Sequence, residues 1–506
     1  MSAISKTIFK KALAQAVYNE LLTKSARYFF YMGKVLPWDE TDTLETPVDT
    51  YSYEINSRSN IVYTKQLTIN DLCFVIRRID WVTGTIYDMY DDSVTSLETT
   101  DFYVKTDEHN VYKCIFNNNG AASTVKPTGN DATSQTYADG YVWKFMYNLP
   151  VALRNKFMTA DYLPVMTALN NQFYSNGGVE SVTIENGGSG YTTATAVVAG
   201  NGGGVSLTPV INSGSITSCV VDTPGSGYTL ANINVTGDGS GASLLANLSV
   251  GDINTLQANI ELQAVNGALE AIKVTAGGTG YTTAPVTIVG DGSGAVATAT
   301  ISSGAIIKVA MTNVGSGYTW ATITIGGDGT GATARAIISP KGGHGKNAVD
   351  EFFAKDLMFS TTISSETSQG LAITNDLRQT GIIKNLASFG SSVRYRSSTG
   401  SACYKISATV DTTKFPKDEI IFQGVDNKRF LIVESTSTSL LLQPLDDLLP
   451  NDGLVYKNAS NDEITTTAVV APTIDKFSGD LLYINNKTAF TPTSSQAISF
   501  RTILTF

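Results

Sequence analysis

The chain has 506 residues, with 35 Lys+Arg against 45 Asp+Glu, a net charge of −10 and only two histidines. This length admits several domains with real cores, and the acidic balance argues against a nucleic-acid or anionic-membrane surface. The shortage of histidine, with no Walker loop, nucleophile elbow or metalloprotease helix, argues against catalysis.

No apolar run approaches the length of a membrane span and Met1 to Lys11 does not read as a secretion signal, so a soluble chain made in a cytoplasm is expected. Cys73, Cys114, Cys219 and Cys403 lie far apart, which suggests buried free thiols rather than zinc ligands or disulfides.

Residues 1–25 read as an N-terminal helix. Ile8, Phe9, Ala12, Leu13, Ala16, Val17 and Leu21 form an apolar stripe, and Ser5 is placed to cap it. The aromatic strand Tyr28 to Met32, Gly33 and the turn Leu36 to Asp39 lead into a polar, acidic loop. Leu72 to Ile76 is a continuous apolar run, hence a buried strand, ending in Arg77-Arg78-Ile79-Asp80-Trp81. The Arg77/Arg78 doublet is expected to pair with carboxylates such as Asp80 rather than to hold an anion. Val111 to Phe116 alternates and meets Asn117-Asn-Asn-Gly120, a hairpin signature. Tyr141, Trp143, Phe145, Tyr147 and Leu149 share one strand face, which must be buried.

From Val179 to Ser339 one unit is written four times around Tyr191, Tyr228, Tyr281 and Tyr318, at spacings of 37, 53 and 37 residues. Apolar residues recur with period two about each tyrosine and glycines recur at fixed places, so each unit reads as three short strands joined by glycine turns. The spacing divides the block into two pairs, 179–248 and 265–339. Between them residues 249–264 read as a linker with its own apolar Leu256, Ile260 and Leu262. A phosphate cradle requires a helix after its glycines, and here another strand follows. Asp238, Asp291 and Asp328 resemble the acids of calcium repeats, but the first unit has Asn201 and no second carboxylate accompanies any of them. Turn-forming roles are therefore expected, with no metal and no cofactor. The tyrosines read as core pegs.

After the repeats, His344 stands in Lys341-Gly-Gly-His-Gly345 beside Lys346, a glycine-rich loop in which a histidine is structural or exposed. Residues 347–358 begin as a short helix, Leu377 to Ile383 runs from loop into strand, and 401–444 hold several alternating segments. The chain ends on Ser478 to Asn486 and a strand with Ile498, Phe500, Leu504 and Phe506 on one face and Arg501 on the other.

Six words taken in order carry a resemblance: Pro37-Trp38, Arg77-Arg78-Ile79-Asp80-Trp81, Asp139-Gly140-Tyr141-Val142-Trp143, Leu377-Arg378-Gln379, Ser478 to Tyr483 and the ending Ile503-Leu504-Thr505-Phe506. Together they resemble the dimeric baseplate wedge subunit of T-even-type contractile-tailed bacteriophages. The resemblance implies a non-catalytic virion protein of the tail baseplate, assembled in the host cytoplasm, that forms a homodimer and joins other wedge proteins. It implies neither nucleic-acid binding nor membrane insertion. The expected fold is mainly β: residues 26–178 and 340–506 form one discontinuous, β-sandwich-like body behind the N-terminal helix, with the repeats inserted as glycine-rich β modules. The resembled family's best-known members lack the repeat block, which is left to contact a tail fibre or the host envelope. The alternative is an adhesin in which the repeats bind a host surface or glycan. Against a repeated aromatic platform, the positions after Tyr-Thr are Thr193, Leu230, Thr283 and Trp320, only one of them aromatic.

Overall fold

The computed structural model describes residues 7–167, 177–248, 253–363, 375–424, 427–446, 450, 454–492 and 498–506; Ser5 and residues 249–252 of the expected linker lie outside them. The chain is mainly β, with antiparallel sheets and a short N-terminal helix. It divides into two compact units. Unit one is Met1–Lys11 with Phe74–Asp356, and unit two is Ala12–Cys73 with Leu357–Phe506. The division does not fall at the ends of the repeat block. The first flank is shared between the units, and the repeats belong with its later strands.

Helix α1 (Thr7–Thr23) buries Ala14, Tyr18 and Leu21, spaced one turn apart. Ile8 and Phe9, at the head of the expected stripe, stay 74% and 58% exposed. Strand β1 (Tyr28–Gly33) is buried along its whole length. The acidic stretch then holds helix α2 (Tyr51–Ser59), where only a loop was expected, and it is followed by strand β2 (Ile61–Leu67). Thr50 caps α2 by accepting the Tyr53 N–H at 3.3 Å. Its buried residues are Tyr53, Ser57 and Arg58, so no apolar stripe announces it.

In unit one, β3 (Leu72–Arg77) pairs with a short strand, Tyr162–Pro164. Strands β4 (Tyr103–Lys105), β5 (Asn110–Phe116), β6 (Gln135–Thr136) and β7 (Val142–Asn148) form a sheet in the order β4-β5-β7-β6. No tight hairpin follows β5. Asn118 and Asn119 adopt positive φ in a 3-10 turn, and β5 pairs with β7 only after a long excursion. The five large side chains of the β7 segment are at most 3% exposed, as their shared face requires. Lys144 and Met146, on the opposite face, are buried too. Helix α3 (Val151–Phe157) follows.

Each repeat pair folds into its own six-stranded sheet. Module one comprises β8 (Val179–Ser189), β9 (Ala194–Gly200), β10 (Gly203–Asn212), β11 (Ser215–Ser226), β12 (Ala231–Gly237) and β13 (Ser240–Leu248), in the order β11-β10-β9-β12-β13-β8. Module two comprises β14 (Ala271–Thr279), β15 (Val286–Gly290), β16 (Ser293–Ser302), β17 (Ala305–Ser316), β18 (Ala321–Ile325) and β19 (Thr330–Ile337), in the order β15-β18-β19-β14-β17-β16. Matched repeat to repeat, these are one cyclic order cut at different seams. The Ile272↔Val309 pairing bridges in module two the seam that is open in module one, and Ala196↔Leu207 does the converse. Each module is thus a small barrel-like ring. Its interior takes Ala, Val and Ile because six strands enclose too little space for larger rows. The register shifts after Ser206 and Val210 recur after Val296 and Thr300, and such bulges add the twist that closure of a small ring demands.

The expected linker contains helix α4 (Ile253–Leu262), with Ile260 fully buried. After the repeats, the expected helix is the single turn α5 (Ala348–Glu351), capped by Asn347.

In unit two, β20 (Asp356–Ile363) and β21 (Leu377–Lys384) resume the sheets. β1 lies between β2 and β21, with Asp480–Phe490 on the far side of β21 and Thr399–Ser401 on the far side of β2. Seven strands between Tyr404 and Val470 form a sheet around Tyr404, Ile406, Phe430, Ile432, Leu442 and Tyr456. The terminal strand Ile498–Thr505 is an edge strand beside β20; its apolar face is half-buried and Arg501 is exposed.

Candidate functional site

The repeat turns explain why the repeats come in pairs. Asp238, in the second repeat, accepts the backbone N–H groups of Thr192 and Thr193 at 2.9 Å and the Thr192 hydroxyl, all in the first repeat. Asn201, in the first repeat, does the same for the second, accepting from the N–H groups of Thr229 and Leu230 at 3.0 and 3.1 Å. In module two, Asp328 caps Thr282 and Thr283 while Asp291 caps Thr319 and Trp320. The glycine after each Asp or Asn repeats this exchange. A Cβ on Gly239 would lie 2.5 Å from the Tyr191 ring, and one on Gly202 2.5 Å from the Tyr228 ring. Every turn is therefore completed by the other repeat of its pair.

Hydrogen bonds from the Thr192 and Thr282 hydroxyls, then from the backbone, hold Asp238 and Asp328 far below the usual carboxylate range. Asp291 is lowered in the same way, to about 2. Their oxygens are engaged with donors, and among the described residues no group of three His, Cys, Asp or Glu is placed to hold a metal. The four tyrosines are buried pegs, and Leu230 and Trp320, one residue beyond the Tyr-Thr pair, are 61% and 52% exposed.

Both modules are fastened to the rest of unit one. Arg335 reaches Asp91 and Asp92, the latter at 2.7 Å, Lys273 lies 3.6 Å from Asp91, and the Asn119 amide donates to the Ile307 carbonyl at 2.9 Å. In module one, Glu180 accepts the N–H of Val151 at the start of α3 at 3.0 Å, and Asn155 donates to the Asp222 carbonyl at 3.1 Å. The modules are integral to this unit.

His344 is 2% exposed and stands beside a buried ion pair. The Lys113 ammonium lies 2.6 Å from Glu351 and 4.4 Å from the centre of the Tyr90 ring. Glu351 also accepts the N–H groups of Gly345 and Asn347, at 2.8 and 3.1 Å. Burial, with Lys113 and Lys144 adding to it, pushes the His344 pKa well below its ordinary value and so keeps the ring neutral. The pair offers no approach to solvent; it locks the loop after the repeats against β5. His109 is separate, at positive φ in the turn before β5.

Four of the six words carrying the resemblance take part in two networks, one per unit. In unit one, Arg78 pairs with Asp80 at 2.6 Å, as the doublet suggested, and Arg77 pairs with Asp101 at 2.5 Å. Trp81 donates to Ser123, which donates to Asp139, and the Tyr141 hydroxyl accepts the Tyr87 N–H. In unit two, Arg378 binds Asp42 at 2.8 Å and also the Val35 carbonyl, while Asp42 accepts the Trp38 N–H at 3.0 Å. Gln379 donates to Asn486, which in turn donates to the Glu45 carbonyl and the Tyr53 hydroxyl. Asp42, Ser123, Glu351 and Asn486 stand outside the recognised words, and only their places in the fold reveal their roles. Cys73, Cys114 and Cys403 are buried and Cys219 half-buried, and none of them is in a disulfide.

Unit two also holds an open pocket of about 410 Å³ beside Phe389, Tyr404 and Lys476. The Lys476 ammonium there caps the end of α2 by donating to the Ser59 carbonyl at 2.6 Å. No protein-family model matches the chain, and no curated protein matches it. No helix among the described residues is long and apolar enough to cross a membrane.

Proposed function

We propose that this chain is a structural subunit of a bacteriophage tail baseplate wedge, which acts as a homodimer and joins other wedge proteins without catalysis. The observation that carries this reading is that four of the six resembling words serve in the internal frames of the two units. Trp38 and the distant Arg378 and Gln379 serve in the internal frame of unit two, and Asp80, Trp81 and Asp139 in that of unit one. Residues used in this way preserve a shape, which is what an assembly subunit must present. The two histidines support the absence of chemistry, since one is closed off beside an ion pair and the other lies in a separate turn. The modules serve as a contact or spacer surface on the same subunit.

Co-expression with candidate baseplate wedge proteins of the same phage tests this reading. A stable complex that survives size-exclusion chromatography supports it. A chain that elutes alone in the presence of every such protein contradicts it.

A further inference from the structure

We propose that unit two carries a reciprocal charged docking surface, in which the acidic arm at residues 43–50 of one copy seats on the arginine patch Arg27, Arg394 and Arg396 of a second copy. The inference rests on the homodimer reading above and names the surface that forms it.

The patch is built where β1 begins. Arg394 donates to the Ser25 carbonyl at 2.8 Å and Arg27 to the Arg396 carbonyl at 3.4 Å, which brings the guanidinium groups of Arg394 and Arg27 and the backbone of Arg396 close to the exposed Lys24. Arg394 and Arg396 flank the buried Tyr395, so both turn outward. Among the described residues no carboxylate forms an ion pair with Lys24, Arg27, Arg394 or Arg396; the neighbouring Lys384 already has Glu20 at 2.7 Å. Four unpaired cations on one surface are conspicuous in a chain of net charge −10.

The arm is exposed along residues 43–50 and belongs to no helix or strand. It is nevertheless fixed, by the Arg378–Asp42 pair at its base, by Asn486 holding the Glu45 carbonyl at 2.7 Å, and by Thr50 capping α2. Glu45 and Asp49 alternate with Leu44 and Val48, which are 49% and 52% exposed. On the patch, Val393 is 61% exposed beside the arginines. An acidic strip with apolar side chains thus matches a basic strip with one.

Position decides the occupant. In the β1–β21 pair Tyr28 lies opposite Lys384 and Gly33 opposite Gln379. The patch sits at the first end and the base of the arm at the second, roughly 20 Å apart along the strands. Opposite charges at opposite ends of one strand pair are joined by a second copy turned end for end. A twofold axis makes the contact twice and closes it at a dimer. A nucleic acid is the poorer fit, because four cations give a short footprint and phosphates have no use for Val393.

Sedimentation of the full chain at low, physiological and 1 M salt tests the proposal, with R394E/R396E, E45K/D49K and the combination of all four. We expect a dimer that weakens with salt, loses about tenfold or more in affinity in either charge reversal, and recovers most of it in the combination. Recovery in the combination also shows that the reversed chains fold. A wild-type dimer indifferent to both reversals overturns the docking surface and leaves the homodimer reading standing. A wild-type monomer at all salts overturns both, and a monomer that binds a DNA oligonucleotide through Arg394 and Arg396 assigns the patch to nucleic acid instead.

Discussion

Replacing Tyr281 by alanine tests how the modules are held together. The side chain is 4% exposed, its ring lies against Gly329 of the other repeat in its pair, and its hydroxyl accepts the Ala332 N–H at 3.3 Å. Burial of about 150–200 Å² of ring at roughly 25 cal/mol per Å² gives about 4 kcal/mol, within the ~3–5 kcal/mol range for truncating a buried aromatic. The hydroxyl bond is long, so Tyr281→Phe should cost about 1 kcal/mol or less. Hydrogen exchange read peptide by peptide separates the modules. Tyr281→Ala should lower the opening free energy of peptides around both Tyr281 and Gly329 by about 3–5 kcal/mol, while module one and the oligomeric state stay unchanged. Gly329→Ala should loosen the same peptides, since its new Cβ strikes the same ring from the turn of the other repeat. A loss below about 1 kcal/mol, an equal loss in module one, or a change of oligomeric state would refute the idea that each module is a self-contained reciprocal pair.

Acid should loosen module two before module one. A carboxylate with a depressed folded pKa stabilises fully above its unfolded value, and that contribution is lost as pH falls toward the folded value. Module two has two such caps, Asp291 and Asp328, whereas module one has Asp238 and the non-titrating Asn201. Exchange measured from about pH 4 down to about pH 2 should show module two opening first, and the opposite order would contradict the capping scheme. Asp238→Asn should leave module one folded at neutral pH and remove its acid response, because Asn201 already performs that role in the partner turn. Lys113→Met alone should destabilise unit one by about 3–5 kcal/mol in urea, since it strands the buried Glu351 carboxylate; a Lys113→Met, Glu351→Leu double variant should recover much of that loss.

Much of the fold was legible where one local rule dominated. Period two in the repeats marked their strands, the spacing of 37, 53 and 37 residues marked their pairing, and the aromatic face of β7 marked a buried surface. The reciprocal caps were not legible, because the asparagine or aspartate and the turn it completes lie 28 to 46 residues apart and a repeat read alone supplies both. α2 went unseen because its buried face is Tyr53, Ser57 and Arg58, with no apolar period. Nothing in the local pattern marks Lys113 and Lys144 as buried. Both are buried, because β5 and β7 are covered on both faces and Glu351 arrives from far along the chain. The limits of the compact units were hidden for a related reason. The contacts binding the modules to unit one, such as Arg335 to Asp91, join residues 244 apart and leave no trace in local pattern.

Gold-labelled antibody raised against the purified chain and applied to intact tailed particles tests the structural reading most directly. The account predicts label confined to the baseplate end of the tail. Unlabelled particles, with the chain recovered only from the soluble fraction of the lysate, would contradict it.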